Sequence, residues 1–263
     1  MSLFRVLCLT LVLVAPVSAQ EVAERLAGHL IEDIPNGPGP FPGILAIPGC
    51  SGISLNSPET DAGGGSPTDP YFRRHYPRMA KALSDEGYAV FSLDYQSAEG
   101  VVSACLGEVH PTRIAEYIEV AARQITADPR VQTGRVLLIG WSLGGAGLLH
   151  ALDPPGDAEL NISDAIAIYP RCVGVMPWSS TLPVHLFLGE ADDITPAETC
   201  RALVGKIKEH LPVILRSYPG ARHGFDIGEA SAEISTGRGT TIGFNQAAAE
   251  DTWQRIREIM SGG

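Results

Sequence analysis

The sequence predicts an α/β protein built on one mostly parallel sheet with helices on both faces. Three observations carry that expectation. First, the chain holds several short, continuous apolar runs bounded by turn residues, the pattern of strands buried on both sides. Second, these runs alternate with segments of helical periodicity, which is the order of βαβ units. Third, 263 residues with 44% hydrophobic and 19% charged content suit one large domain with an ample core. No internal repeat, linker or second domain is visible, so residues 20–263 are expected to form a single domain.

The elements follow in order. Residues 1–19 read as a signal peptide: Arg5 supplies a short positive region, Val6 to Val14 an apolar stretch, and Ala15 to Ala19 a run of small residues with cleavage expected after Ala19. The apolar stretch is too short to span a bilayer. The mature protein is therefore expected outside the cytoplasm, periplasmic or secreted, with no membrane segment. Residues 21–34 read as a lead with an edge strand from His29 to Ile34. Gly43 to Pro48 reads as a buried strand, followed by the turn Pro48-Gly49-Cys50. Asn56 to Pro70 has no hydrophobic period; such a loop either edges a site or is a surface insertion. Tyr71 to Glu86 is helical and closes at Gly87, and Tyr88 to Leu93 is a strand. Asp94 to Gly107 reads as a loop, and His110 to Thr126 as an amphipathic helix. Strands are expected at Val136–Ile139, Ala165–Tyr169, Val184–Gly189 and Val213–Tyr218, with helices at Pro196–His210 and Gln246–Met260.

The chemistry concentrates between Arg135 and Leu149. There an apolar strand runs into Gly140-Trp141-Ser142-Leu143-Gly144 and then into a helix of small residues. A Gly-x-Ser-x-Gly between strand and helix is a nucleophile elbow, which presents the serine on a tight turn. In parallel sheets ligands sit beyond the carboxyl ends of the strands. Two later strand ends supply partners: Asp192 and Asp193 follow Val184–Gly189, and His223 follows Val213–Tyr218. A serine hydroxyl attacks efficiently only when a base takes its proton, so His223 is the expected base. An aspartate would fix the imidazole tautomer. Asp192, four residues before Pro196, is favoured over Asp193, which is read as a cap or turn residue. The tetrahedral oxyanion needs backbone donors, expected from the amides of Leu143 and Cys50. Trp141 either lines the pocket or packs beside the elbow.

Composition narrows the partners. A net charge of −11 argues against nucleic-acid binding, which needs a basic face. No paired Cys/His spacing points to a metal, and His29, His75, His110, His150, His185 and His210 read as surface or packed residues. The glycines after the elbow strand lack the spacing and lysine of a nucleotide loop. Four cysteines remain after the signal segment, Cys50, Cys105, Cys172 and Cys200. In an oxidising compartment they suggest two disulfides, with three connectivities open.

The stretches IPGCSG, LIGWSLGGAG, LFLGEADDITP and YPGARHGFD resemble the dienelactone hydrolase family of α/β-hydrolases, over roughly residues 40–260. The resemblance implies an eight-stranded, lid-poor α/β-hydrolase core that is usually monomeric and uses no cofactor. It places nucleophile, acid and base on Ser142, Asp192 and His223. The family prototype has a cysteine nucleophile where this chain has serine, which turns the expectation from dienelactone itself toward carboxylic esters or lactones in general. Arg73, Arg74 and Arg113 are candidates for the family's substrate-carboxylate arginines, although solvated surface positions suit them better. The family often carries a cysteine after a Tyr-Pro strand end, here Cys172. With Cys200 near the same end of a neighbouring strand, the resemblance points to a Cys172–Cys200 bridge. Cys50 and Cys105, both after inner strands, are candidates for the second, against a free buried thiol at Cys50. The expectation is an exported serine hydrolase acting through an acyl-enzyme on a small-molecule ester or lactone. A peptidase, a thioesterase and a non-catalytic binding protein on the same fold are its rivals.

Overall fold

The computed structural model describes residues 19–53, 70–152, 161–228, 233–236 and 239–262; the signal segment to residue 18 and nearly all of the Asn56–Pro70 stretch lie outside them. The chain begins with helix α1 (Ala19–Leu26) and strand β1 (Leu30–Asp33). Strand β2 (Phe41–Ile47) and helix α2 (Pro70–Asp85) follow. Strand β3 (Ala89–Leu93), the single turn α3 (Tyr95–Ala98) and helix α4 (Pro111–Thr126) lead to the elbow. The elbow joins strand β4 (Val131–Trp141) to helix α5 (Ser142–Ala151). Then come β5 (Ile162–Ile168), β6 (Val184–Gly189), α6 (Ala197–Val204) and β7 (Val213–Tyr218). A two-residue ribbon, β8 (Ile234–Ser235) with β9 (Thr241–Ile242), precedes α7 (Gln246–Ser261).

Seven strands form the main sheet in the order β1-β3-β2-β4-β5-β6-β7. Only β1 is antiparallel, at the edge beside β3; every other pairing is parallel. The expected α/β class is therefore correct. The resemblance implied eight strands; among the described residues the sheet has seven, and β8 and β9 stand apart as their own ribbon.

Alternation along the central strands divides the core into two layers. On β4, Val136 and Leu138 face one layer with Ile114, Ile118 and Leu148 from α4 and α5. Leu137 and Ile139 face the other, with Met79, Leu83 and Ile256 from α2 and α7. Each such aliphatic side chain contributes ~1.5–3 kcal/mol when fully buried. A strand must be apolar at every position to satisfy both layers, which is why the inner strands read as continuous runs.

Some elements escaped the sequence. Helix α1 has only Val22 and Leu26 buried, too few to set up a visible period. Strand β4 is eleven residues long, but its first half is largely exposed, so only the buried half carried a signal. Conversely, α6 stops at Val204 and Gly205 caps it, well short of His210.

Candidate active site

The nucleophile candidate is set by backbone geometry. Ser142 follows directly on β4, opens α5 and has φ of +50°. A non-glycine residue rarely occupies this left-handed region, at a cost of ~1–2 kcal/mol. The surrounding structure holds it there through close approach of backbones. A Cβ on Gly144 would lie 2.3 Å from Pro48 O and 2.4 Å from Ile47 O, so α5 can start against the end of β2 only with glycine. Gly140 and Gly145 touch one another in the same way, a Cβ on Gly140 falling 2.8 Å from Gly145 Cα. Gly144→Ala is therefore expected to cost at least ~3 kcal/mol, more than an ordinary helix substitution gains or loses, because backbone must move. Urea denaturation checks it; a loss under ~1 kcal/mol would show that the elbow tolerates a side chain there.

The sheet then brings two more loops to the serine. His223, after β7, places Nε2 2.9 Å from Ser142 Oγ. Its Nδ1 lies 2.8 Å from Asp192 Oδ2, in the loop after β6. Both partners are buried. Asp192 is fully satisfied as an acceptor. Its Oδ1 takes the amides of Ile194 at 2.9 Å and Thr195 at 2.8 Å, and its Oδ2 takes the Thr195 hydroxyl at 2.8 Å as well as the imidazole. Burial by itself would raise the Asp192 pKa, but the neighbouring His223 and the Thr195 donors outweigh it and hold the carboxyl below its usual range. An ionised carboxylate only accepts, so Nδ1 carries the imidazole proton and Nε2 is left to accept from Ser142. Asp193 is exposed and serves elsewhere, its Oδ1 accepting the amide of Thr241 at 2.9 Å at the start of β9.

Behind these residues lies a buried polar cluster that the sequence did not reveal. Tyr169, at the end of β5 with φ of +39°, places its ring 4.7 Å from the His223 ring between centroids. Its hydroxyl donates to Asp226 Oδ1 at 2.6 Å, and the Trp141 indole donates to Asp226 Oδ2 at 2.9 Å. Asp226 thus ties the residue before the serine to the ring that supports the histidine. Trp141 does not line the pocket. It is fully buried, packs edge-on against Tyr76 and near Trp253, and spends its N–H on Asp226.

The turn after β2 is pinned on both sides. Gly49 O accepts from Tyr95 Oη and Gln96 Nε2, each at 3.0 Å, and Gly49 N donates to Tyr76 Oη at 2.8 Å. Cys50 is bridged to Cys105, and its carbonyl accepts from the Ala104 amide at 2.8 Å. The second bridge, Cys172–Cys200, ties the segment after β5 to α6 behind the acid loop. Closing loops of 55 and 28 residues removes chain entropy worth ~4 and ~3.6 kcal/mol from the unfolded state. Cys172–Cys200 is the bridge that the resemblance suggested, and Cys50–Cys105 the second pair that their positions after inner strands offered. Leu143 lies in the first turn of α5, where an amide has no carbonyl four residues earlier within the helix. Gly49, Cys50, Tyr76, Ser142, Tyr169 and His223 surround a cleft of about 50 Å³, with Ile227 and Ile242 on its apolar side.

Of the three candidate arginines, Arg113 is taken up elsewhere. It pairs with Glu99 at 2.6 Å and lies over the Tyr117 ring. The Arg74 Nε is enclosed without a hydrogen-bond partner among the described residues, and the Arg73 side chain lies outside them.

A parallel sheet that delivers a serine on a strained strand–helix turn, a histidine to its hydroxyl and an aspartate to the histidine defines an α/β-hydrolase of the serine type. Comparison with known proteins narrows the class. The chain belongs to the dienelactone hydrolase family, whose model matches residues 71–262, and it is an enzyme of the carboxylic ester hydrolase class. No curated protein sequence matches it. Among solved structures it is similar to a protein of Klebsiella pneumoniae subsp. pneumoniae MGH 78578 assigned as a dienelactone hydrolase (18% identity, TM-score 0.62, covering 87% of this chain and 90% of that one). It is also similar to the dienelactone hydrolase-like promiscuous phosphotriesterase P91 from metagenomic libraries (18% identity, TM-score 0.64, 86% and 87% covered). A third is the esterase Est2 of the planctomycete Thermogutta terrifontis in its propionate-bound form (17% identity, TM-score 0.54, 88% and 89% covered). At these identities the likeness is one of fold.

Proposed function

We propose that the protein is an exported esterase that cleaves small carboxylic esters or lactones through an acyl-enzyme on Ser142. The hydrogen-bonded chain from Ser142 Oγ to His223 Nε2 and from His223 Nδ1 to Asp192 carries this reading. Ser142 Oγ attacks the ester carbon while its proton passes to His223. Asp192 holds the imidazole tautomer and stabilises the imidazolium. The carbonyl oxygen, now an oxyanion, is received by the amides of Cys50 and Leu143. Collapse expels the alcohol, which takes the proton back from His223. Water then repeats the cycle with the same base and frees the acid.

Export is supported by the leader-like residues 1–19 together with two disulfides, which persist in oxidising compartments. No described helix is long and apolar enough to cross a membrane. A cleft of about 50 Å³ has room for a few heavy atoms beside Ser142, which favours short acyl groups. A panel of p-nitrophenyl esters, lactones and peptide amides tests the substrate class. The expected result is turnover of esters, with acetate at least ~10-fold better in kcat/KM than octanoate, a difference of ~1.4 kcal/mol. Preference for peptide amides would move the protein to the peptidases, and no turnover of any panel member by folded protein would favour a binding role.

A further inference from the structure

Tyr76 sits on α2, a helix that supplies neither the nucleophile nor its partners. Yet it lines the same cleft as Ser142. The point where a Cβ on Gly49 would stand is 3.0 Å from Tyr76 Oη and 3.4 Å from Ser142 Cβ. Tyr76 Oη accepts the Gly49 amide at 2.8 Å, one residue before the Cys50 amide. Among the described residues no acceptor meets the Tyr76 O–H itself. The ring is immobilised, with edge-on contacts to His75 and Trp141 at centroid distances of 5.4 Å each. The residue is thus a rigid, buried donor whose proton meets no acceptor among the described residues and which borders the serine. An enzyme gains most from donors aimed in advance at the place where charge develops.

We propose that the Tyr76 hydroxyl is a third donor to the oxyanion, beside the amides of Cys50 and Leu143, and so is a catalytic residue of this enzyme. The assignment rests on Ser142 being the nucleophile. As Ser142 Oγ bonds to the ester carbon, the carbonyl π electrons move to oxygen, and the serine proton goes to His223. Tyr76 transfers nothing; it shortens a hydrogen bond to the negative oxygen and keeps its own proton. Burial, with Asp226 nearby, pushes the phenol well above its ordinary pKa, while the Gly49 amide pulls the other way less strongly. The hydroxyl therefore stays a donor across the working pH range. The Gly49 amide donates to the same oxygen, which polarises the O–H and makes it a better donor.

The test crosses Tyr76→Phe with a change of one substrate atom. Phenylalanine keeps the ring contacts and removes the hydroxyl. For a p-nitrophenyl ester, kcat/KM is expected to fall ~10²-fold, mostly in kcat, the usual loss for one oxyanion donor. The matching thionoester carries sulfur, a weak acceptor, where the oxyanion forms, so its loss should stay within ~5-fold. Equal losses on both substrates would mean that Tyr76 only supports the Gly49 turn, and would overturn the assignment. Should Tyr76→Phe fail to fold, 3-fluorotyrosine at position 76 keeps every contact and sharpens only the donor. A hydroxyl on the oxyanion then changes the ester rate more than the thionoester rate; no difference overturns the assignment. A failure of the underlying site is separable, because it would appear as full ester turnover by Ser142→Ala, whatever Tyr76 does.

Discussion

Asp192→Asn is expected to lower kcat on p-nitrophenyl acetate by up to ~10⁴-fold, whereas Asp193→Asn should leave it within ~2-fold. The size of the first effect follows from the hydrogen bonds around the carboxylate. Oδ1 must accept two backbone amides, those of Ile194 and Thr195. An asparagine can meet them only with its single oxygen, which turns its NH₂ toward His223. An N–H donor facing Nδ1 forces the imidazole into the other tautomer, with its proton on Nε2. That nitrogen can then no longer accept from Ser142. The fold has little reason to change, since asparagine is nearly isosteric and the two amides remain satisfied. At position 193 the asparagine oxygen can still accept the Thr241 amide on an exposed loop. Steady-state kinetics of the two variants decide the matter; the reverse ranking would assign the acid to Asp193.

The parts of the site that could be read from the sequence share one property: each is encoded within a few consecutive residues at a strand end. Ser142 announces itself through the flanking glycines, because backbones meet there whatever the rest of the chain does. Asp192 and His223 follow short apolar strands, so the topology of a parallel sheet brings their loops to the same edge. The four cysteines are legible by count once the leader is set aside. Tyr76, Tyr169 and Asp226 are different. Tyr76 meets the Gly49 turn across 27 residues, and Asp226 meets Tyr169 across 57 and Trp141 across 85. No local pattern marks a buried tyrosine as a donor or a buried aspartate as a tie between loops. Trp141 shows the limit from the other side. Its place beside the nucleophile left a pocket wall and packing beside the elbow both open, and only strand alternation at the end of β4, which turns its ring into the α2/α7 layer, decides for packing. The short ribbon of β8 and β9 was missed because two residues per strand give no periodicity, although Ile242 completes the cleft.

The disulfides bear on how the site is held rather than on its chemistry. One bridge fixes the turn that carries the Cys50 amide, and the other the segment between β5 and the acid loop. The Cys50 turn and the helix behind the acid loop therefore have covalent anchors, whereas Leu143 is held within α5 and His223 by packing. Its ring lies against Tyr169, and its carbonyl accepts the Gly243 amide at 3.1 Å.

Everything proposed about activity depends on Ser142 being the nucleophile. The direct measurement is labelling by a fluorophosphonate probe, located by peptide mass spectrometry and run beside ester turnover for the wild type and Ser142→Ala. Ser142→Ala removes one hydroxyl and leaves Gly140, Gly144 and the His223–Asp192 pair in place. In a related triad, loss of the serine costs ~2 × 10⁶-fold in kcat. The expected result is a single label on the peptide that contains Ser142, with neither label nor measurable ester turnover in Ser142→Ala. Folded wild-type protein that takes no label, or Ser142→Ala that turns over esters at the wild-type rate, would contradict the account.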